Sequence, residues 1–353
     1  MKRISIVGIL LLSVLFTNAQ NPIYYLLVGT YTNTGASEGI YVYRFNPNKT
    51  EVTLMSKTTG VENPSYLTVS KDQKFVYCVN ENTGDKGSVS AFALDKAKGE
   101  LHFLNKQSSG GDAPCFINID ATGKNVIAAN YSGGNFSVFK TNADGTLNPF
   151  VQLIAHQGYG VCVERQEMPH PHAAVFSADE KCWFVPVLGT DRIYQYHFNA
   201  TDATNPVTES DPPYYEIPDG SGPRQFIFHP NGKNAYLLNE LSGNIMVFDY
   251  ANGKLTETQT ISSDNTGGKE DKASADIHIS TDPRFLYTTN RGKANDISLY
   301  KVSSDGKLAS NGQQPVGQNP RNFMIDPSGR FLLVANQNSN SIQIFIINKN
   351  FGL

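Results

Sequence analysis

The chain has 353 residues, a net charge of -3, and an aromatic load of 17 Tyr and 20 Phe. At about 150 residues per domain the length alone would divide into two domains, but closed all-β architectures run longer as one unit. The mild negative balance carries no basic stripe, which excludes the electrostatic footprint of a nucleic-acid-binding protein.

In chain order, Lys2 and Arg3 form a charged start and Ile4 to Phe16 an apolar stretch too short to span a bilayer comfortably. Small residues end at Ala19 in the manner of a cleavage site. Residues 1–19 are therefore expected to be an export signal rather than a buried N-terminal helix. No lipobox cysteine follows, so a soluble protein, periplasmic or secreted, is expected, without membrane insertion after cleavage. The four cysteines, Cys78, Cys115, Cys162 and Cys182, have no metal-type spacing. An exporting compartment permits a disulfide, but Cys78 and Cys115 lie in apolar runs and read as buried free thiols.

Residues 20–353 are organised by a repeat. Six stretches align without gaps: PSYLTVSKDQKFVYCVN (64–80), PCFINIDATGKNVIAAN (114–130), PHAAVFSADEKCWFVPV (171–187), PRQFIFHPNGKNAYLLN (223–239), SADIHISTDPRFLYTTN (274–290) and PRNFMIDPSGRFLLVAN (320–336). Five of the six close on Asn, and unit starts differ by 50, 57, 52, 51 and 46 residues. A partial unit, YYLLVGT, opens the mature chain. Each unit holds two short apolar runs joined by turn chemistry such as PNGK or PSGR, then a third run, a turn such as ANGK or SDGK, and a fourth. No helical period follows the signal. The expected fold class is all-β: a seven-bladed β-propeller of four-stranded antiparallel blades forming a single domain over 20–353. A sandwich does not explain so regular a repeat. The first unit lacks its first strand and the last ends after its third, so closing strands at the C-terminus are expected to be missing from this sequence.

Comparison of the units also shows where they differ. Just after the opening position stand Ser65, Cys115, His172, Arg224, Ala275 and Arg321. Just after the closing position stand Glu81, Glu240 and Arg291, and the fifth full unit carries Asp276 and His278 in its first strand. Any one of these taken alone is more simply a solvated strand end. Together, an imidazole, a carboxylate and several guanidiniums at strand ends form an acid–base and anion-binding set. His170 shares the motif PHPH with His172 and either lines the same funnel or sits in the preceding loop, GYGVCVERQEMPHPH.

The segments PHAAVFSADEKCWFVPVLGTDRIYQY, GSGPRQFIFHPNGKNAYLLNEL, ADIHISTDPRFLYTTNR and PRNFMIDPSGRFLLVANQ resemble the bacterial lactonase family with a seven-bladed propeller. That family includes propeller-type 6-phosphogluconolactonase and the fungal carboxy-muconate cycloisomerase, and the resemblance covers 24–347. It implies hydrolysis of a sugar lactone, with 6-phosphogluconolactone or a related aldonolactone as substrate. It also implies His172, Arg224, Glu240 and Arg291 as catalytic residues. His170, Asp276, His278, Arg321 and Glu81 are expected to bind substrate. In this reading His172 is the general base for water, with a pKa near neutrality, Arg224 and Arg291 hold the oxyanion or a phosphate, and Glu240 orients them. No GxSxG elbow is present, which disfavours an acyl-enzyme. No cofactor or metal is expected; a calcium site from Asn80, Asn130, Asn239 and Asp276, as in another family of lactonase propellers, is the minor alternative. The other readings are a cycloisomerase, in which His172 moves a proton to carbon, and a non-catalytic exported propeller that binds a ligand or protein. A monomer or weak dimer is expected.

Overall fold

The computed structural model describes residues 3–5, 23–268 and 271–353. Among them there is no α-helix; strands form seven antiparallel sheets in which strands consecutive in sequence are mostly neighbours in space. This is the expected seven-bladed propeller class. Six sheets have four strands, and the sheet of Tyr24–Val28, Gly39–Asn46 and Glu51–Thr59 has three.

Strand counting left the last sheet, Pro320–Ile325, Phe331–Asn336 and Ser341–Ile346, without a fourth strand. In the structure Arg3–Ser5, which falls within the expected export signal, takes the fourth place in this sheet, pairing antiparallel with Ser341–Ile346 in the register Arg3↔Gln343 to Ser5↔Ser341. The rest of the expected export signal lies outside the described residues.

The chain divides into two compact units: Ile6–Ala155 with Ala200–Pro206, and Met1–Ser5 with His156–Asn199 and Val207–Leu353. In each, the hydrophobic core lies in layers between adjacent sheets. In the second unit, Phe184, Phe226, Leu237 and Phe248 form one layer, Tyr236, Ile245, Ile277 and Leu286 the next, and Tyr287, Ile297, Phe323 and Val334 a third. Strand alternation produces this, because successive side chains of one strand serve opposite faces.

The first hairpin of each repeat is fixed by its turn chemistry. Ser70, Ser177 and Ser280 each donate their hydroxyl to the Asp two residues on, Asp72, Asp179 and Asp282. Asp120 and Asp326 instead accept backbone N–H groups with their own carboxylates. The closing asparagines are structural staples. Asn290 accepts from Ser263 and Ser274 hydroxyls and donates to Asp296, Asn130 donates to Asn135, and Asn239 donates to Asn244. Cys78 and Cys115 are buried free thiols, as expected; Cys182 is also free and buried, and Cys162 is free and half-buried.

Candidate active site

In five of the six repeats the position just after the opening residue is a β-bulge. The pairing runs Pro223↔Asn239 then Gln225↔Leu238, so Arg224 is an extra residue on its strand. Ala275 and Arg321 are skipped in the same way between Ser274 and Asp276 and between Pro320 and Asn322. In the unit of His172, five residues from Pro171 to Val175 pass four from Val187 to Phe184, again one extra residue. A bulge breaks the alternation of a strand and re-aims one side chain. Five repeats thus place one side chain each out of step, Cys115 and Ala275 among them, and the other three are His172, Arg224 and Arg321.

Glu240 follows the closing Asn of its unit and is stitched in by its backbone. Its N–H donates to Gly222 O at 2.7 Å, and its carbonyl accepts from Ser274 N at 3.3 Å. The loop before Arg224 is gathered by Asp191, whose carboxylate accepts Gly220 N at 2.7 Å and Gly222 N at 2.8 Å. Gly222 sits at φ +64°, and a Cβ there would meet Leu241 Cγ at 2.5 Å, so only glycine fits this approach.

The Glu240 carboxylate receives three guanidiniums. Oε2 accepts Arg224 Nη1 at 2.5 Å, and Oε1 accepts Arg165 Nη2 at 2.6 Å and faces Arg291 Nη2 at 3.1 Å. Arg224 is anchored by Nε to Ala275 O at 2.8 Å, and Arg291 by Nε to Ala273 O at 3.1 Å. The Glu240 and Arg224 side chains are 3% and 4% exposed, so the pair sits out of water. Burial opposes the charge on Glu240, but Arg291, Arg224 and Arg165 overcome it and hold the carboxyl well below the usual range. Burial, with Arg224, Arg321 and Arg165 as neighbours, presses Arg291 below its ordinary value against the pull of Glu240. Three cations share one anion, and Arg321 adds a fourth charge close enough to act on both Arg291 and His172. The cluster therefore carries surplus positive charge in a place of low dielectric, which favours an anion or a developing oxyanion.

His172 belongs to this cluster. It is buried, and its backbone N–H donates to Pro186 O at 3.1 Å. Burial and the charge of Arg224, with Arg321 beyond, drive its pKa well below the ordinary histidine value against the pull of Glu240. This corrects the expectation of a pKa near neutrality: burial and the neighbouring guanidiniums favour the neutral imidazole.

The remaining expected residues have partners other than Glu240. His170 is buried in the loop, with its ring nitrogen 3.1 Å from Glu167 and its carbonyl accepting Leu188 N. Asp276 and His278 pair with each other at 3.2 Å, and Asp276 also accepts Phe323 N at 3.1 Å, so they brace one sheet against the next. Glu81 lies in the other compact unit, where it accepts hydroxyl hydrogen bonds from Tyr31 and Ser65. Arg165 is the cluster member that the repeat comparison missed. It lies in the longest spacing between unit starts, 57 residues, and that excess length is the signal that marks an insertion there.

A family profile described as lactonase, 7-bladed beta-propeller, matches residues 25–353. A 6-phosphogluconolactonase of Formosa agariphila is 37% identical over 91% of this chain and 91% of its own. A 6-phosphogluconolactonase of Bacillus subtilis is 33% identical over 92% and 91%. The solved structure of a periplasmic gluconolactonase of Pseudomonas aeruginosa superposes with a TM-score of 0.88 at 37% identity, covering 94% of each chain. With the repeat, the sheets and these likenesses in agreement, the chain belongs to the lactonase family of seven-bladed β-propellers.

Proposed function

We propose that this protein is a hydrolase of aldonolactones, with 6-phosphogluconolactone as the foremost candidate substrate, and that the Glu240 cluster and His172 perform the reaction. The observation that carries this reading is one buried carboxylate shared by three guanidiniums beside a buried imidazole. The names of the relatives support the lactone class.

In the proposed step, water attacks the lactone carbonyl carbon while His172 takes a proton from it. The carbonyl oxygen becomes an oxyanion, held by the Arg224 and Arg291 guanidiniums, which are already oriented by Glu240 and by carbonyl oxygens of the backbone. The bond from the carbonyl carbon to the ring oxygen then breaks, and His172 returns its proton to the leaving alkoxide. The products are an open hydroxy acid and an unmodified enzyme. A strongly depressed imidazole is a weak base in the empty site. An anionic substrate offsets the guanidinium field and raises the basicity of His172 when the base is needed. The charged, apolar and small-residue order of residues 2–19, with the periplasmic relative, supports export as the setting.

The test is a pH-stat assay of proton release from 6-phosphoglucono-δ-lactone and glucono-δ-lactone, with carboxy-muconate lactonisation followed in parallel. Hydrolysis well above the spontaneous rate supports the proposal. Activity confined to muconate, or none at all from a folded sample, overturns it.

A further inference from the structure

We infer that Arg165 is the residue that selects a phosphorylated lactone, by exchanging Glu240 for the substrate's phosphate. This rests on the lactone reading above and assigns the anion end of the same site. The Arg224 and Arg291 side chains are 4% and 12% exposed, whereas the Arg165 side chain is 42% exposed. Arg165 therefore reaches Glu240 from the solvent side, where a substituent remote from the reacting carbonyl would enter.

The base of Arg165 is fixed while its tip is not enclosed. Gln166 is fully buried; its side chain donates to Leu188 O at 2.8 Å and accepts Cys162 N at 3.0 Å. Arg165 N donates to Cys162 O at 2.9 Å. Gly160 N donates to Gln166 O at 2.9 Å, and a Cβ on Gly160 would collide with the Gln166 side chain. The segment thus delivers the guanidinium to a set position without burying it.

Charge balance gives the exchange its direction. One carboxylate serves three guanidiniums, so a phosphate arriving at Arg165 leaves Glu240 still paired with Arg224 and Arg291. Arginine presents a forked donor pair that matches phosphate.

Arg165→Gln and Arg165→Lys are to be compared with wild type in kcat and KM on 6-phosphoglucono-δ-lactone and glucono-δ-lactone. Binding of 6-phosphogluconate and gluconate is measured by calorimetry on the same proteins. The expected result for Arg165→Gln is a fall of about 10- to 100-fold in the ratio of kcat/KM for the phosphorylated over the plain lactone. That fall comes through KM, with a matching loss of preference for 6-phosphogluconate and partial recovery in Arg165→Lys. An unchanged ratio, or equal losses on both substrates, overturns the inference and leaves Arg165 as a brace for Glu240. If wild type turns over neither lactone, the lactone reading fails, and the calorimetric preference still decides the role of Arg165. Wild type binding both acids equally overturns it.

Discussion

Arg224 Nη1 stands 2.5 Å from Glu240 Oε2, and the two side chains, at 4% and 3% exposure, share a site that water barely reaches. Removing one partner of a buried ion pair strands the other charge. Glu240→Ala leaves Arg224 and Arg291 buried without their counter-ion and is expected to cost about 3–5 kcal/mol of stability. Glu240→Gln, which keeps a hydrogen-bond acceptor, is expected to cost less. Chemical denaturation of both variants checks the order.

The acid side of catalysis follows from His172. Burial and Arg224 hold its folded pKa well below 6.5, so the neutral base persists as pH falls through 6.5. The acid limb of kcat/KM, which reports the free enzyme, is expected well below 6.5. Arg321→Gln removes one cation that depresses His172, so the limb is expected to move up toward 6.5. A pH–rate profile of both proteins reads the shift. A limb that stays in place would remove Arg321 from the electrostatics of the site.

His278 carries the opposite sign. Burial lowers its pKa, but the charge and hydrogen bond of Asp276 outweigh this, and its folded value lies above 6.5. Its contribution to stability is fully present below 6.5 and is lost as pH rises through the folded value. His278→Gln is therefore expected to lower the melting temperature more at pH 5.5 than at pH 8.5. Equal losses at both would mean that the Asp276 contact acts by packing alone.

Gly189 fixes how the Arg165 segment seats. A Cβ at this position would lie 1.7 Å from Met168 O. Gly189→Ala must displace the backbone that leads to His170, and is expected to cost about 1–3 kcal/mol. It is also expected to raise KM more than it lowers melting temperature would suggest for a distant core change. Thermal unfolding with steady-state kinetics separates the two effects.

The gapless repeat made the sheets legible, because each unit spends the same turn and the same closing Asn on the same hairpin. It also made His172, Arg224 and Arg321 legible: each occupies the bulge, and a bulge recurs at one alignment column. Glu240 and Arg291 followed from the column after Asn. Arg165 did not, because it belongs to an insertion with no counterpart in other units. Asp276 and His278 were drawn to the site by their charge, yet their partner is the backbone of Phe323, a contact that only the stacking of sheets reveals. The pKa of His172 was equally hidden, since type and spacing carry neither burial nor the field of Arg224.

The central claim is that one buried cluster hydrolyses a lactone with His172 as its base. The most direct measurement is the enzyme-dependent rate of 6-phosphoglucono-δ-lactone opening by wild type, His172→Ala and Arg224→Gln, corrected for spontaneous hydrolysis. The account predicts a fall in kcat of about 10²- to 10⁴-fold for His172→Ala and a loss of similar order for Arg224→Gln, with both proteins folded. Wild-type rates in folded His172→Ala would contradict it.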